Sequence, residues 1–492
     1  MTTKDFIRDD LPRTLFPMDT NQILIDAGED EIKDYIAKIS TDGDDTKAFS
    51  FLPQQRVYAS KAHKHLRRTV KLDLISEYAI YDFAYRNRSL FRKPFKASRK
   101  HYGYRFEEGK AIPSSDSYRA FKSASSEYND KYKFSLSFDV ASYFNSIYHH
   151  DLVNWAAELP QIEEADVEIL GKLLKEVNSG RSVDCLPQGI YPSKMIGNDF
   201  LRFVDNHFGL KSEQLIRFMD DFCLYSNDIK NLEEDFILIQ ELLGERGLSV
   251  NPMKTNFFDS SAESLDNEID EMKAQLLEKR RILLQLDYDD EAVEAFVVEP
   301  LSEGELEYVK EILNSPSLEE EDAELVLSIM RDHTADVEDK LEDIMISFPN
   351  LAKNVFAFCQ SVEDKELVAE AIIGCLNKQA RHTEFQLFWF GEMLQRYLLS
   401  SQKAPQLIHA LMNSQAATPI SKAKVLEIRD KRFGLTEFRE RILRNGQSDW
   451  TSWASAVGMT CLRKRSRNHV AKYFGNASQM NHIVASIVEK LD

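Results

Sequence analysis

The chain has 492 residues, enough for two or three domains that each bury a hydrophobic core. Hydrophobic residues make up 43% of it, but no apolar run approaches the ~20 residues that a membrane span needs, and the N-terminus lacks the apolar run of a secretory signal. We therefore expect a cytoplasmic protein without a membrane partner. The five scattered cysteines form no CxxC pair, which argues against a disulfide framework and against a zinc ribbon.

The net charge of −19 is concentrated in one part of the chain. Residues 259–343 contain 28 acidic and 7 basic residues, a local balance of −21, so the rest of the chain sums to about +2. Phosphates are repelled by such a stretch, so a surface that binds nucleic acid must lie outside it. The simplest interpretation of the stretch itself is a solvated, acidic helical surface.

Two basic stretches occur in the first quarter of the chain. Residues 61–68 read KAHKHLRR, and residues 92–105 read RKPFKASRKHYGYR, with six bases, no acid and three interleaved aromatic residues. Basic groups bind phosphate and aromatic rings stack on nucleic-acid bases, so the second stretch is consistent with nucleic-acid contact. A solvated charged face would have a similar composition.

Residues 133–140 read KFSLSFDV, in which apolar residues alternate with serines and with Asp139. This period of two predicts a strand that presents Asp139 at its end, followed by a helix over residues 144–159. Further on, residues 181–189 predict a loop that ends in LPQG, before a buried helix from residue 193. Gly189 lets the backbone approach a ligand and Gln188 can donate and accept hydrogen bonds, although an ordinary helix-entry loop would look the same.

Residues 215–226 read LIRFMDDFCLYS and predict strands at 215–219 and 222–225, with Asp220 and Asp221 near the turn between them. A buried carboxylate pair requires a positive partner, and Mg²⁺ prefers oxygen ligands, whereas an exposed turn would also favour aspartate. A helix over residues 231–245 follows. The sequence GLSVNPMK then predicts a turn and a short strand that ends on Lys254, which on its own would suggest an exposed loop lysine.

Together these stretches resemble the reverse transcriptase family over roughly residues 50–258. The sequences FDVASYFNSI, LPQGIYPSKMIGNDFL, FMDD and GLSVNPMKT resemble four of its motifs in the family order. The resemblance implies fingers and palm subdomains and nucleotidyl transfer with two Mg²⁺ ions about 4 Å apart. It also implies that Asp139 and Asp220 are the main metal ligands, that Asp221 supports them, and that the Val140 carbonyl is a further ligand.

The same resemblance assigns roles around the metal site. Lys254 would protonate the pyrophosphate leaving group. Gln188 and Gly189 would lie under the template and the incoming nucleotide. Phe144 would exclude a 2′-hydroxyl and so favour dNTPs. The triphosphate would be held by basic residues of the fingers, for which the candidates are Arg99, Lys100 and Arg105.

After residue 258 the pattern departs from a templated reverse transcriptase, because an acidic stretch stands where a basic thumb is expected. We predict an α+β fold with three parts: a fingers and palm polymerase domain (1–258), an acidic helical connector (259–300) and an all-α C-terminal domain (301–492). Helical repeats of a HEAT-like or solenoid kind fit the last part. Helices are predicted at 367–376, 384–399, 406–412, 435–443 and 479–491, and Ser361 with Asp364 resembles a capping box. The basic run at 462–472 would contact product or form a solvated face.

A polymerase core joined to such a helical domain resembles the abortive-infection reverse transcriptases of bacterial phage defence. That resemblance implies an untemplated, protein-primed DNA polymerase that uses dNTPs, carries single-stranded DNA covalently, forms homo-oligomers and responds to a phage protein in the bacterial cytoplasm. A templated RNA-directed DNA polymerase of the retron or group II type is the first alternative. A polymerase-like scaffold that binds a phage protein is the second, and the intact Asp139, Asp220 and Asp221 argue against it.

If Phe144 excludes the 2′-hydroxyl, replacing it with alanine opens space for a ribose. We expect Phe144→Ala to incorporate ribonucleotides in a competition assay between dNTPs and NTPs, whereas the wild-type protein selects dNTPs. Unchanged discrimination would remove this role from Phe144.

Overall fold

The computed structural model describes residues 1–41, 49–91, 96–177, 185–259, 272, 276, 300–315, 318–379 and 381–491. They divide into two compact units. The first unit comprises Met1–Pro17, Ile32–Gln55 and Thr69–Asn267, and the second comprises Met18–Glu31, Arg56–Arg68 and Glu268–Asp492. Most of the predicted acidic connector over 259–300 lies outside the described residues, as do residues 92–95 and 181–184. No helix among the described residues is both long and apolar enough to cross a membrane.

The strands of the described residues are β1 (Gln55–Ser60), β2 (Leu66–Lys71), β3 (Arg99–Tyr102), β4 (Phe106–Glu107), β5 (Lys110–Ala111), β6 (Phe134–Asp139), β7 (Gln214–Phe218), β8 (Asp221–Ser226) and β9 (Asn256–Asp259). The helices before residue 260 are α1 (Thr3–Asp10), α2 (Asp19–Thr41), α3 (Leu74–Arg86), α4 (Ser114–Lys131), α5 (His149–Ala157), α6 (Glu164–Val177), α7 (Tyr191–Phe200), α8 (Arg202–Asp205) and α9 (Ile229–Gly244).

A five-stranded sheet in the order β3-β7-β8-β6-β9 organises the first unit. Strand β3 runs parallel to β7, and the other pairs are antiparallel. Leu136, Leu224 and Leu215 lie side by side on adjacent strands and are fully buried, as the period of two requires. The other face packs on α4, where Ile216 and Tyr225 join a small apolar cluster. The predicted strands at 133–140, 215–219 and 222–225 are confirmed.

The helix predicted over residues 144–159 is confirmed only in its second part, as α5. Residues 143–145 form a single 3₁₀ turn, Tyr143–Asn145. The Phe144 carbonyl accepts a hydrogen bond of 2.8 Å from the Leu186 backbone amide, so it is committed to a distant segment instead of to a helix of its own. A local pattern cannot reveal such a long-range bond.

The second unit is helical after residue 300, with α10 (Glu303–Leu313), α11 (Glu320–Ile329), α12 (Leu341–Ser347), α13 (Ala352–Ser361), α14 (Lys365–Lys378), α15 (Glu384–Met393), α16 (Ala404–Asn413), α17 (Pro419–Leu426), α18 (Leu435–Arg444), α19 (Trp450–Gly458), α20 (Lys464–Gly475) and α21 (Gln479–Lys490). The five helices predicted in this unit are confirmed. Many of its helices pack against the helix that lies two positions further along the chain. The helical repeat stays a prediction.

The predicted capping box at Ser361 and Asp364 is wrong. Ser361 is the last residue of α13, whereas Asp364 is itself the N-cap of α14. Its carboxylate accepts hydrogen bonds from the backbone amides of Glu366 and Leu367 at 2.9 and 3.2 Å, so the helix begins directly after it.

A buried charge network explains why Met18–Glu31 belongs to the second unit, although we predicted a continuous first domain over 1–258. The Glu427 carboxylate accepts hydrogen bonds of 2.7 Å from both the amide and the hydroxyl of Thr20. Arg396 donates to Asp19 at 2.7 Å. Lys424, which is fully buried, pairs with Glu427 at 2.7 Å and with Glu392.

Removing the ammonium of Lys424 would leave the buried Glu427 carboxylate without its counter-charge, and would leave Glu392 paired with Arg396 alone. We expect Lys424→Met to lower the free energy of unfolding by about 3–5 kcal/mol in a denaturant titration. The exposed Lys431→Met is the matched control and should change it by less than about 0.5 kcal/mol. Equal denaturation midpoints for both variants would contradict the role of the network.

Candidate active site

Three aspartates meet at one edge of the five-stranded sheet. Asp139 ends β6 and lies directly opposite Asp221, the first residue of β8. Asp220 precedes it in the turn from β7, and its carbonyl accepts a hydrogen bond of 3.2 Å from the Val140 amide. Opposite residues on antiparallel strands have Cα atoms about 4.5–5.5 Å apart. The structure therefore brings together all three predicted carboxylates and Val140, although Asp139 is 81 residues from Asp220 along the chain.

The turn that carries the aspartates is stabilised by hydrogen bonds from Arg217, a residue that was not predicted from the sequence. Met219 has a φ of +56°, a left-handed conformation that is unfavourable for a residue with a side chain. The fully buried Arg217 guanidinium donates to the Met219 carbonyl at 2.7 Å, to both the side-chain and backbone oxygens of Asn198 at 3.0 Å, and to Asp205 at 2.8 Å. The available signal was a charged residue inside the apolar run LIRFM.

Lys254 reaches the aspartates from a separate turn. The Asn251 backbone amide donates to the Asp139 carbonyl at 2.9 Å, and the Asn251 side chain caps the 3₁₀ turn Pro252–Lys254 by accepting from Met253 at 3.2 Å. The Lys254 Nζ atom then lies 2.7 Å from the Asp139 Oδ2 atom. The lysine side chain is 66% exposed and the Asp139 side chain 12% exposed, so an ammonium group faces solvent above a buried carboxylate.

The electrostatics of the cluster show an excess of negative charge. Burial, and then the charges of Asp221 and Asp139, raise the pKa of Asp220 to about 6. Burial and the charge of Asp139 also raise the pKa of Asp221. The hydrogen bond to Asp139 raises the pKa of Lys254, so that its ammonium stays protonated at neutral pH. One ammonium group does not balance three carboxylates.

The donor set fits a hard divalent cation. The Asp139 Oδ1 atom is buried and has no hydrogen-bond partner among the described residues, which is costly for a carboxylate oxygen. Among the described residues, no group of three or more acidic, histidine or cysteine side chains is placed to hold a metal ion by itself, and the three aspartates are included in that finding. Mg²⁺ bound by nucleotide enzymes commonly combines one or two carboxylates with substrate phosphates, and Asp139 and Asp220 suit that arrangement.

Three other residues that were predicted to contact the nucleotide, Phe144, Gln188 and Gly189, are fixed in position mainly through their backbone. Phe144 is buried, and it follows Asp139 by five residues in the turn described above. The Gln188 backbone exchanges hydrogen bonds of 2.8 and 3.0 Å with the Thr69 hydroxyl. Gly189 has a φ of +99°, and a Cβ atom there would come within 2.6 Å of Leu15. Only glycine fits that position, because any side chain would be strained and would collide.

The three basic residues proposed for the triphosphate are not gathered at the aspartates. Arg99 lies opposite Leu215 at the far end of β7, and donates to the Ser212 carbonyl at 2.8 Å. Lys100 donates to the Tyr128 hydroxyl at 3.3 Å. Arg105 pairs with Glu107 at 2.9 Å. Each cation is thus engaged within its own part of the first unit.

Comparisons with known proteins agree with this geometry. Residues 89–274 match the family model described as reverse transcriptase (RNA-dependent DNA polymerase), which is less than half of the chain. No curated protein matches the sequence significantly. This part of the chain is therefore a reverse transcriptase domain, of the class of nucleotidyl-transferring DNA polymerases that bind nucleotides, nucleic acid and divalent metal ions.

Solved structures similar to this chain include two telomerases. Telomerase from Candida albicans in complex with a TWJ fragment of telomeric RNA is 13% identical, with a TM-score of 0.34, over 83% of this chain and 69% of that chain. Apo telomerase from Candida tropicalis is 13% identical, with a TM-score of 0.32, over 78% of this chain and 73% of that chain. These similarities are too low to carry an argument about function.

The charge excess makes a prediction about stability. A carboxyl pKa raised above its unfolded value destabilises the folded protein once the group ionises, so the penalty grows between pH 3.8 and about 6 and is complete at neutral pH. We expect Asp220→Asn to raise the free energy of unfolding by about 1 kcal/mol in metal-free buffer at neutral pH. Added Mg²⁺ should raise the Tm of the wild-type protein more than that of the variant.

Glu233→Gln, which neutralises an exposed carboxylate on α9, is the matched control for that experiment. It should respond to Mg²⁺ as the wild-type protein does. A wild-type Tm that does not change with Mg²⁺, or an Asp220→Asn protein that is less stable in chelator, would contradict the charge excess.

Proposed function

We propose that the protein is a Mg²⁺-dependent DNA polymerase of the reverse transcriptase type that acts in bacterial phage defence by abortive infection. One observation carries the polymerase assignment: Asp139, Asp220 and Asp221 occupy one sheet edge, and Lys254 is bound to Asp139. Nucleotidyl transfer requires carboxylates gathered in this way, because the reaction is catalysed mainly by positioning and by charge stabilisation.

Each residue of the site would have a distinct role in the reaction. Bound Mg²⁺ would lower the pKa of the attacking hydroxyl and neutralise charge on the phosphates. Asp139 and Asp220, with Asp221 and the Val140 carbonyl, would hold the two ions. The attacking hydroxyl loses its proton to solvent water, and its oxygen forms a bond to the α-phosphorus of the dNTP while the bond to pyrophosphate breaks. Lys254 donates its Nζ proton to the departing pyrophosphate, a role that fits an ammonium group exposed at the mouth of the site.

The nucleotide would lie against protein surfaces that are already rigid. Phe144, which is buried and tied through its carbonyl to Leu186, would form the wall under the sugar. Gln188 and Gly189 would approach the nucleotide through their backbone. Lys100 and Arg105 would bind the triphosphate only after leaving Tyr128 and Glu107, whereas Arg99 lies at the far end of β7 from the aspartates and is not placed for this role.

We further propose that synthesis is untemplated and primed by a hydroxyl of the protein. What supports this is an arrangement that resembles that of abortive-infection reverse transcriptases, in which a helical unit follows the polymerase core where a basic thumb is expected. The product would be single-stranded DNA attached to a homo-oligomeric protein in the bacterial cytoplasm, with a phage protein as the trigger. Templated RNA-directed synthesis is the alternative, and the description of the matched family favours it.

The first experiment separates these two functions. Purified protein is incubated with Mg²⁺ and each dNTP separately, with and without an RNA or DNA template, and its migration is followed on denaturing gels. Untemplated, protein-primed synthesis predicts a protein that migrates more slowly without template and whose attached label is released by nuclease. Strict dependence on template, or a product that carries no peptide after protease digestion, would favour the templated enzyme.

A double variant that carries two conservative substitutions is the control for that experiment. Asp220→Asn combined with Asp221→Asn should reduce incorporation by about 10³-fold or more, because both changes remove carboxylate charge that would hold the metal ions. The same double variant should no longer protect cells from phage. Protection that survives the loss of incorporation would instead support a polymerase-like scaffold.

A further inference from the structure

The basic stretch KAHKHLRR at residues 61–68 is not explained by the polymerase site. It forms the turn of the β1–β2 hairpin, and its residues up to Arg68 belong to the second unit. His63 and Lys64 both have positive φ values, 54° and 61°, which is unfavourable for residues with side chains. The hairpin is held by hydrogen bonds from the Tyr58 amide to Glu384 at 2.9 Å and from Ser60 to Thr383 at 2.8 Å.

This hairpin forms one side of a large groove within the second unit, which we call the basic groove. Its cavity volume is about 1440 Å³, and its lining includes Lys61, Lys64, Lys378 and Arg381. The first two residues lie in the hairpin turn, and the last two lie at and after the end of α14. Histidines from the hairpin, from the α14–α15 connection and from α16 also line it.

The described residues that line the groove contain only one acidic side chain, Glu384. Its carboxylate is buried and accepts hydrogen bonds from the Tyr58 amide and the Thr418 hydroxyl, and burial raises its pKa. Lys378 is paired with Glu342 at 2.7 Å, so its charge is partly balanced. Glu320 also borders the groove, because its carboxylate accepts hydrogen bonds from the His63 amide at 3.3 Å and from the lining Asn350 side chain at 2.8 Å. The four lysine and arginine side chains of the lining still outnumber these three carboxylates, in a chain whose net charge is −19.

The rest of the lining is suited to nucleotides. Six asparagine and glutamine side chains line the groove, and each amide can both donate and accept hydrogen bonds, as base edges require. Tyr58 adds an aromatic ring that is 39% exposed. Aromatic rings beside cations are the usual composition of surfaces that bind single strands. The volume exceeds the roughly 300–1,000 Å³ of pockets for small ligands, which favours a polymer.

We propose that the basic groove binds single-stranded nucleic acid, with Lys64 and Arg381 contacting phosphates and Tyr58 stacking on a base. This site is separate from the aspartates and does not rest on polymerase activity. The groove contacts both the sugar-phosphate chain and the bases, so DNA and RNA share the chemistry that it recognises.

Binding is measured by fluorescence anisotropy with a labelled oligothymidylate and a labelled oligouridylate, without dNTPs, in the Asp220→Asn background. Lys64→Gln combined with Arg381→Gln should weaken binding about 10-fold and reduce the slope of log affinity against log salt by about 1.4, since each phosphate contact to a single strand contributes about 0.7. Tighter binding of one oligonucleotide identifies the preferred strand. Polyglutamate should not compete.

Lys431→Gln combined with Arg441→Gln is the matched control, because it removes two exposed charges of the second unit that do not line the groove. This control should bind as the parent does. The proposal is overturned if the parent does not bind either strand, if both double variants lose affinity equally, or if polyglutamate displaces the strand. Hydrogen exchange on the wild-type protein is an independent measurement: the strand should protect peptides from Arg56–Arg68, and protection confined to other regions would also overturn it.

Discussion

The buried guanidinium of Arg217 is the interaction on which the polymerase site depends. It binds Asp205, Asn198 and the Met219 carbonyl at once, so it fixes the left-handed residue that turns β7 into β8. A buried charge is stable only when it is paired and its hydrogen bonds are satisfied, and both conditions hold here. The position of Asp220 is thus set by packing beneath the turn.

This support lets the site keep three carboxylates together in spite of their repulsion. Asp139 and Asp221 are paired residues on the adjacent strands β6 and β8. The pKa of Asp220 is raised because burial and the neighbouring carboxylates disfavour its charged form. Lys254 offsets part of that charge, and a divalent cation would offset the remainder. Proteins commonly accept a local loss of stability of this kind where function requires it, because the rest of the fold compensates.

Much of the sheet was predictable because strands with one buried face have a period of two, as at residues 133–140 and 215–226. The meeting of Asp139 with the distant aspartates followed from the order of family motifs and not from any local pattern. The helix start predicted at residue 144 was wrong for a non-local reason, because the Phe144 carbonyl bonds to Leu186. The hydrogen bond from Thr20 to Glu427 likewise leaves no trace in a local pattern. Arg217 was missed because its partners, Asp205 and Asn198, are adjacent only in the folded chain.

The proposed polymerase requires a pair of divalent ions at the aspartate edge. Its most direct test is a crystal structure with Mn²⁺ and a non-hydrolysable dNTP analogue, in which anomalous scattering locates the metal ions. We expect two anomalous peaks roughly 4 Å apart, ligated by Asp139 and Asp220 and by the triphosphate. Peaks that lie away from these residues, or an aspartate edge without any peak at saturating Mn²⁺, would contradict it.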